Sequence, residues 1–89
     1  MVIRIASFDN DPTTTVDKKL MDEFRSWMKS QPGFRASWHA RDSKTGGGKS
    51  VSVWDDMASL VAMKDRTFPG GALGFKPDKV EVFDEVEEF

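Results

Sequence analysis

Cysteine and tyrosine are absent from this 89-residue chain, and histidine occurs once. Without cysteine there are no disulfides, no thiolate nucleophile and no thiolate metal site, a pattern that fits a reducing cytoplasm. A single imidazole, His39, with scattered carboxylates offers no ligand pair at i and i+4, so no metal is expected. No apolar run approaches the roughly 20 residues of a membrane helix, so no membrane partner is expected. The opening Met1 to Phe8 lacks the apolar stretch of a secretion signal, and a cytoplasmic location is the expectation. Basic excess is missing too: 13 Lys and Arg face 15 Asp and Glu, for a formal charge of -2. With no basic stripe to neutralise phosphates, nucleic acid is not an expected partner. The acidic end from Asp84 to Glu88 reads as a solubilising segment.

What the chain does contain is an order of elements. Val2 to Phe8 has strand composition and breaks at Asp9-Asn10-Asp11-Pro12, turn-forming side chains ahead of a fixed proline φ. Thr13, Thr14 and Thr15 offer capping hydroxyls and Asp17 puts negative charge in a first turn. Val16, Leu20, Phe24, Trp27 and Met28 then recur at helical spacing. Pro32-Gly33 ends that helix. Phe34 to Arg41 alternates, with Phe34, Ala36, Trp38 and Ala40 against Arg35, Ser37, His39 and Arg41. Lys44 to Lys49, with three glycines, predicts a hairpin into a strand over Ser50 to Asp55. Asp55 or Asp56 then caps a helix in which Met57, Leu60, Val61 and Phe68 share a face. Pro69-Gly70-Gly71 closes it, and Lys79 to Phe83 is the last strand, with an extension to Phe89 left open.

This order, in a single domain over residues 1–89, predicts an α+β ferredoxin-like βαββαβ fold under the right-handed crossover rule. Such a fold is a four-stranded antiparallel sheet with both helices on one face. The first and third strands lie in its middle, and both carry apolar residues on both sides. Val2, Ala6 and Phe8 oppose Ile3 and Ile5, and Val51 and Val53 oppose Trp54. A sheet oily on two faces needs two covers, and the helices supply one. The expected second cover is another copy of the chain, making a homodimer through the helix-free face. Burying several hundred Å² there at ~25 cal/mol per Å² contributes on the order of 10 kcal/mol before association entropy.

The segment Ser52-Val53-Trp54-Asp55-Asp56-Met57, a strand ending in Trp and running through acids into a helix, is a further signal. With Pro32-Gly33-Phe34 it resembles the dimeric α/β-barrel superfamily, and within it the antibiotic-biosynthesis-monooxygenase-like domains. The likeness extends over nearly the whole chain in element order. It implies a ligand held between sheet and helices, and a small dimeric protein binding an apolar or aromatic molecule. It also implies cofactor-independent monooxygenase activity, with no cofactor required. The haem-degrading branch resembles an Asn in the first strand, a Trp in the second helix and a His just after it. Here those places hold Ser7 and Phe8, Met63, and Pro69 to Leu73 without histidine, so that activity is not implied.

Trp38 and His39, as strand neighbours, point to opposite faces unless a bulge intervenes. If the Trp38 face meets the helices, Phe34, Trp38, Val51, Val53, Phe24, Trp27 and Leu60 form the core, with room for a flat ligand beside Ala36 and Ala40. His39, Ser52 and Trp54 then face the subunit contact. In the enzyme reading His39 is the base, since a lone imidazole can accept a substrate proton on the way to a carbanion. Trp27, Trp38 and Trp54 are candidates to pack on the substrate, and Asn10, at the pocket mouth, or an arginine would stabilise developing negative charge. The nearest acid in sequence, Asp42, points away from His39. Asp9, Asn10 and Asp11 read as turn residues rather than a calcium loop. Ser43 to Ser50 joins two strands, so it reads as a hairpin rather than a phosphate loop. The competing reading is a non-catalytic ligand-binding or dimerisation module with a filled core.

Overall fold

The computed structural model describes residues 1–89. Strand β1 (Val2–Phe8) leads through one 3-10 turn at Pro12–Thr14 into α1 (Lys18–Lys29). A hairpin follows, β2 (Phe34–Arg41) and β3 (Gly48–Trp54), then α2 (Met57–Lys64) and β4 (Lys79–Phe83). All pairings are antiparallel, in the order β2-β3-β1-β4. The fold is ferredoxin-like α+β, with β1 and β3 central. No helix is long and apolar enough to cross a membrane.

Carboxylates cap the helical segments. Asp17, not a threonine, accepts from the Leu20 amide at 3.0 Å to start α1, and Asp56 accepts from Ser59 at 2.7 Å to start α2. Asp11 caps the 3-10 turn, accepting from the Thr13 amide at 2.9 Å. Helix α2 stops at Lys64, short of the expected Phe68. That ring lies beyond the helix, 5.4 Å from Phe24 and 5.6 Å from Trp27 between centroids. Leu60 and Met63 are the buried residues of α2, whereas Met57 and Val61 are exposed, because an eight-residue helix lays only an i, i+3 stripe on the sheet.

Strict alternation fails at one residue of β2, and that residue decides the faces. Phe34 lies opposite Trp54 and Ala36 opposite Val53, so Arg35 is the extra residue of a β-bulge. Trp54 and Val53 point to opposite sides, and their partners follow them. Phe34 therefore turns to the helices, its ring 5.5 Å from Trp54, while Ala36, Trp38 and Ala40 turn away. The Arg35 guanidinium remains in solvent, 3.6 Å from Asp55.

Phe34 and Leu60 of the expected core pack together as expected, but the two tryptophans exchange places. Trp54, assigned to the subunit face, is fully buried in a cluster with Val2, Leu60 and Met63. Trp38, assigned to the core, is 61% exposed on the face without helices. There the register groups it with Val51 and Ile5, and the neighbouring rung adds Val53, Ile3 and Phe83.

Candidate functional site

Two rungs of the helix-side face form a floor. One aligns His39, Ser50 and Ala6; the next aligns Ser37, Ser52 and Arg4. Met21, Phe24 and Met28 of α1 wall it on one side, and Leu73 and Phe75 of the loop before β4 on another. The cavity, partly open to solvent, is about 690 Å³, within the range of small-molecule sites. A shallower depression on the outer face of α1, at Lys18, Lys19, Asp22, Glu23 and Ser26, has no apolar lining.

His39 is held at both ring nitrogens. Its Nε2 lies 2.8 Å from Asp11 Oδ2, and its Nδ1 lies 2.7 Å from Ser50 Oγ. A carboxylate only accepts, so Nε2 carries the proton toward Asp11 and Nδ1 accepts from the Ser50 hydroxyl; this tautomer follows from the network. Ser50 sits in a central strand whose amides are committed to the ladders on either side. No backbone donor is free there to hold an oxyanion, so the arrangement suits proton movement rather than acyl transfer.

Asp11 is fixed by the turn it caps. Its side chain is 1% exposed, and its Oδ1 accepts from both the amide and the hydroxyl of Thr13. Burial alone raises this carboxyl, but the bonds from His39 and Thr13 and the charge of a protonated His39 outweigh it. The group is held below the ordinary carboxylate range. Gly48 makes the approach possible: a Cβ there would stand 2.9 Å from Asp11 Cγ and Oδ2.

The lowered Asp11 sets a pH dependence. A carboxyl depressed in the folded state stabilises it fully above the unfolded value of about 3.9, and that contribution is lost as pH falls through the lower folded value. Urea midpoints measured from neutral pH to below pH 3 should show Asp11→Asn less stable than wild type above about pH 4, with the gap closing in acid. A gap independent of pH would mean that the charge of Asp11 contributes nothing.

The structure places the sequence candidates apart. His39 lines the cavity. Trp38 is also among its lining residues, although the strand register turns its indole toward the opposite face. Trp27 packs against Phe24, 6.0 Å between centroids, outside the lining. Asn10 is exposed in the turn after β1 and does not line the cavity. Trp54 lies one rung beyond Ser52 on the same face, outside the lining, its Nε1 donating to Ser52 Oγ at 3.0 Å. Asp42 serves its own turn, accepting from the Lys44 and Thr45 amides. Asp11, Ser50 and Arg4 escaped sequence reasoning. Pairing His39 with Ser50 needs the hairpin register, and bringing Asp11 to His39 needs a contact 28 residues apart. No group of three His, Asp or Glu side chains is arranged to hold a metal ion.

No family model matches the chain, and no curated protein sequence does. Solved structures do. One described as an antibiotic biosynthesis monooxygenase of Chloroflexus aurantiacus J-10-fl superposes with a TM-score of 0.67 at 19% identity, covering 99% of this chain and 95% of that one. A second antibiotic biosynthesis monooxygenase gives 0.63 at 18% identity, over 98% of this chain and 100% of that one. The ActVA-Orf6 monooxygenase of Streptomyces coelicolor, in complex with nanaomycin D, gives 0.60 at 14% identity, over 99% and 89%. The chain thus shares the ferredoxin-like fold of these monooxygenase structures.

Proposed function

We infer that this protein is a cytoplasmic, cofactor-independent monooxygenase for a largely apolar aromatic molecule, bound between sheet and helices. One observation carries the reading: a histidine bridged between a buried carboxylate and a serine hydroxyl on the floor of an apolar-walled cavity. Ser50 Oγ receives a proton from an acidic C–H of the substrate as its own proton passes to His39 Nδ1, and Asp11 steadies the resulting imidazolium. The carbanion gives its electrons to dioxygen and forms a C–O bond. The hydroperoxide takes back the proton and, losing its second C–H, expels water to leave a ketone. For an anthrone this balances as anthrone and dioxygen giving anthraquinone and water.

The test is oxygen uptake by the purified protein with anthrone-type phenols, the product identified by mass. Turnover above the spontaneous rate supports the reading, and its absence across a panel of such phenols removes it. A dimerisation module with a filled interior fits less well, since the cavity is of ligand size.

The second copy remains part of this reading. Eleven of the 89 residues are buried in the single chain, and the helix-free face presents Trp38 between aliphatic neighbours. Trp38→Lys should weaken the dimer by about 30-fold or more, as loss of a central aromatic anchor does. Sedimentation at micromolar concentration would show it. Wild-type protein sedimenting as a lone chain would remove the dimer.

A further inference from the structure

Arg4 is a cation without a partner. It projects from the middle of β1 on the helix side, and its Nε is buried with no hydrogen-bond partner. Burial pushes its pKa below the usual arginine value, yet a guanidinium in a protein stays charged. None of the five ion pairs in the chain engages Arg4, nor the Arg25 and Lys29 that also line the cavity. No Asp or Glu lines it either. In a chain of net charge -2, this apolar-walled cavity therefore has a cationic lining. A half-buried charge without a counter-ion destabilises the fold, and such a cost is retained where a ligand meets it.

The surroundings favour an anion. Ser52 Oγ already accepts from Trp54 Nε1, which leaves its hydroxyl proton to donate beside Arg4, and Ser37 stands next to it in the same rung. A planar guanidinium with adjacent hydroxyls matches a carboxylate. We propose that Arg4, with Ser52 and Ser37, binds a carboxylate carried by the aromatic ligand, anchoring it away from the reacting carbon. Arg4 is paired with Ser52, and Ser50 lies two residues along the same strand face, so the two ends of the ligand are about 7 Å apart. Arg25 and Lys29 at the rim draw the anion in. The proposal rests on the ligand-cavity reading above and adds the charge class of the ligand.

The test uses a probe pair of one shape, 9-anthracenecarboxylate and its neutral 9-anthracenecarboxamide, titrated by fluorescence into wild type and Arg4→Met. Wild type should bind the carboxylate about tenfold or more tighter than the amide. Arg4→Met should bind both alike while keeping wild-type affinity for the amide. Removing an unpaired, half-buried charge should also raise the melting temperature of the variant, a readout that does not depend on binding. Equal affinities in wild type overturn the anion subsite alone, as does a carboxylate preference that survives in Arg4→Met. If neither probe binds wild type, the cavity reading falls and this proposal falls with it.

Discussion

Replacing His39 by alanine should lower oxygen uptake on an anthrone-type phenol by ~10²- to 10⁴-fold, the span that a positioned general base contributes. Affinity for the phenol should change little, because the imidazole acts on a proton in the transition state rather than on the ring in the ground state. The neighbours sharpen the test. Asp11→Asn places an amide of nearly the same shape beside Nε2. Where its NH2 faces the ring, the proton moves to Nδ1 and Ser50 can no longer pass its own proton there. Ser50→Ala breaks the chain at its substrate end. Both should be as impaired as His39→Ala in turnover, with phenol binding retained, and the combined variants should lose no more than the single ones. Equal rates for wild type and His39→Ala would remove the histidine from the mechanism. Independent, additive losses would mean that the three groups do not act in series.

Trp54→Ala should cost about 3 to 5 kcal/mol, the usual price of deleting a fully buried aromatic side chain. For a domain of this size, that approaches a large share of a total stability of roughly 5 to 15 kcal/mol, and the melting temperature should fall on the order of 20 °C. The ring closes the core with Val2, Leu60 and Met63, meets Phe34 edge-on, and its Nε1 donates to Ser52 in the cavity floor. Trp38→Ala offers the contrast. Within one chain that indole is exposed, so its removal should leave intrinsic stability within about 0.5 kcal/mol and act only through association, visible as a concentration-dependent melt. Calorimetry of the two variants side by side measures the direction in which β2 faces. A larger concentration-independent loss for Trp38→Ala than for Trp54→Ala would mean that the bulge at Arg35 has been misplaced.

Both expectations depend on residues that read differently in the chain and in the fold. Asp11 looks like a turn former, and it is one, since its Oδ1 caps the 3-10 turn. Its other oxygen meets His39, and that depends on β1 lying beside β3, and β3 beside β2, in one register. Trp38 and Trp54 each look like core residues by composition. Which one is buried turned on a single extra residue, because in a strand one insertion moves every following side chain to the other face.

The amino-acid order by itself determined the element sequence, the ferredoxin-like sheet with β1 and β3 central, and the opposition of Trp38 to His39. These follow from local causes: turn-forming pairs such as Pro32-Gly33, helical and strand periodicities, and the handedness of crossovers. Only the tertiary structure decided that His39 faces the helices, that Asp11 and Ser50 hold it, and that Arg4 lies unpartnered in the cavity. The reason is physical: those contacts join residues far apart in the chain, and their geometry is set by strand register and one bulge, which no local pattern encodes.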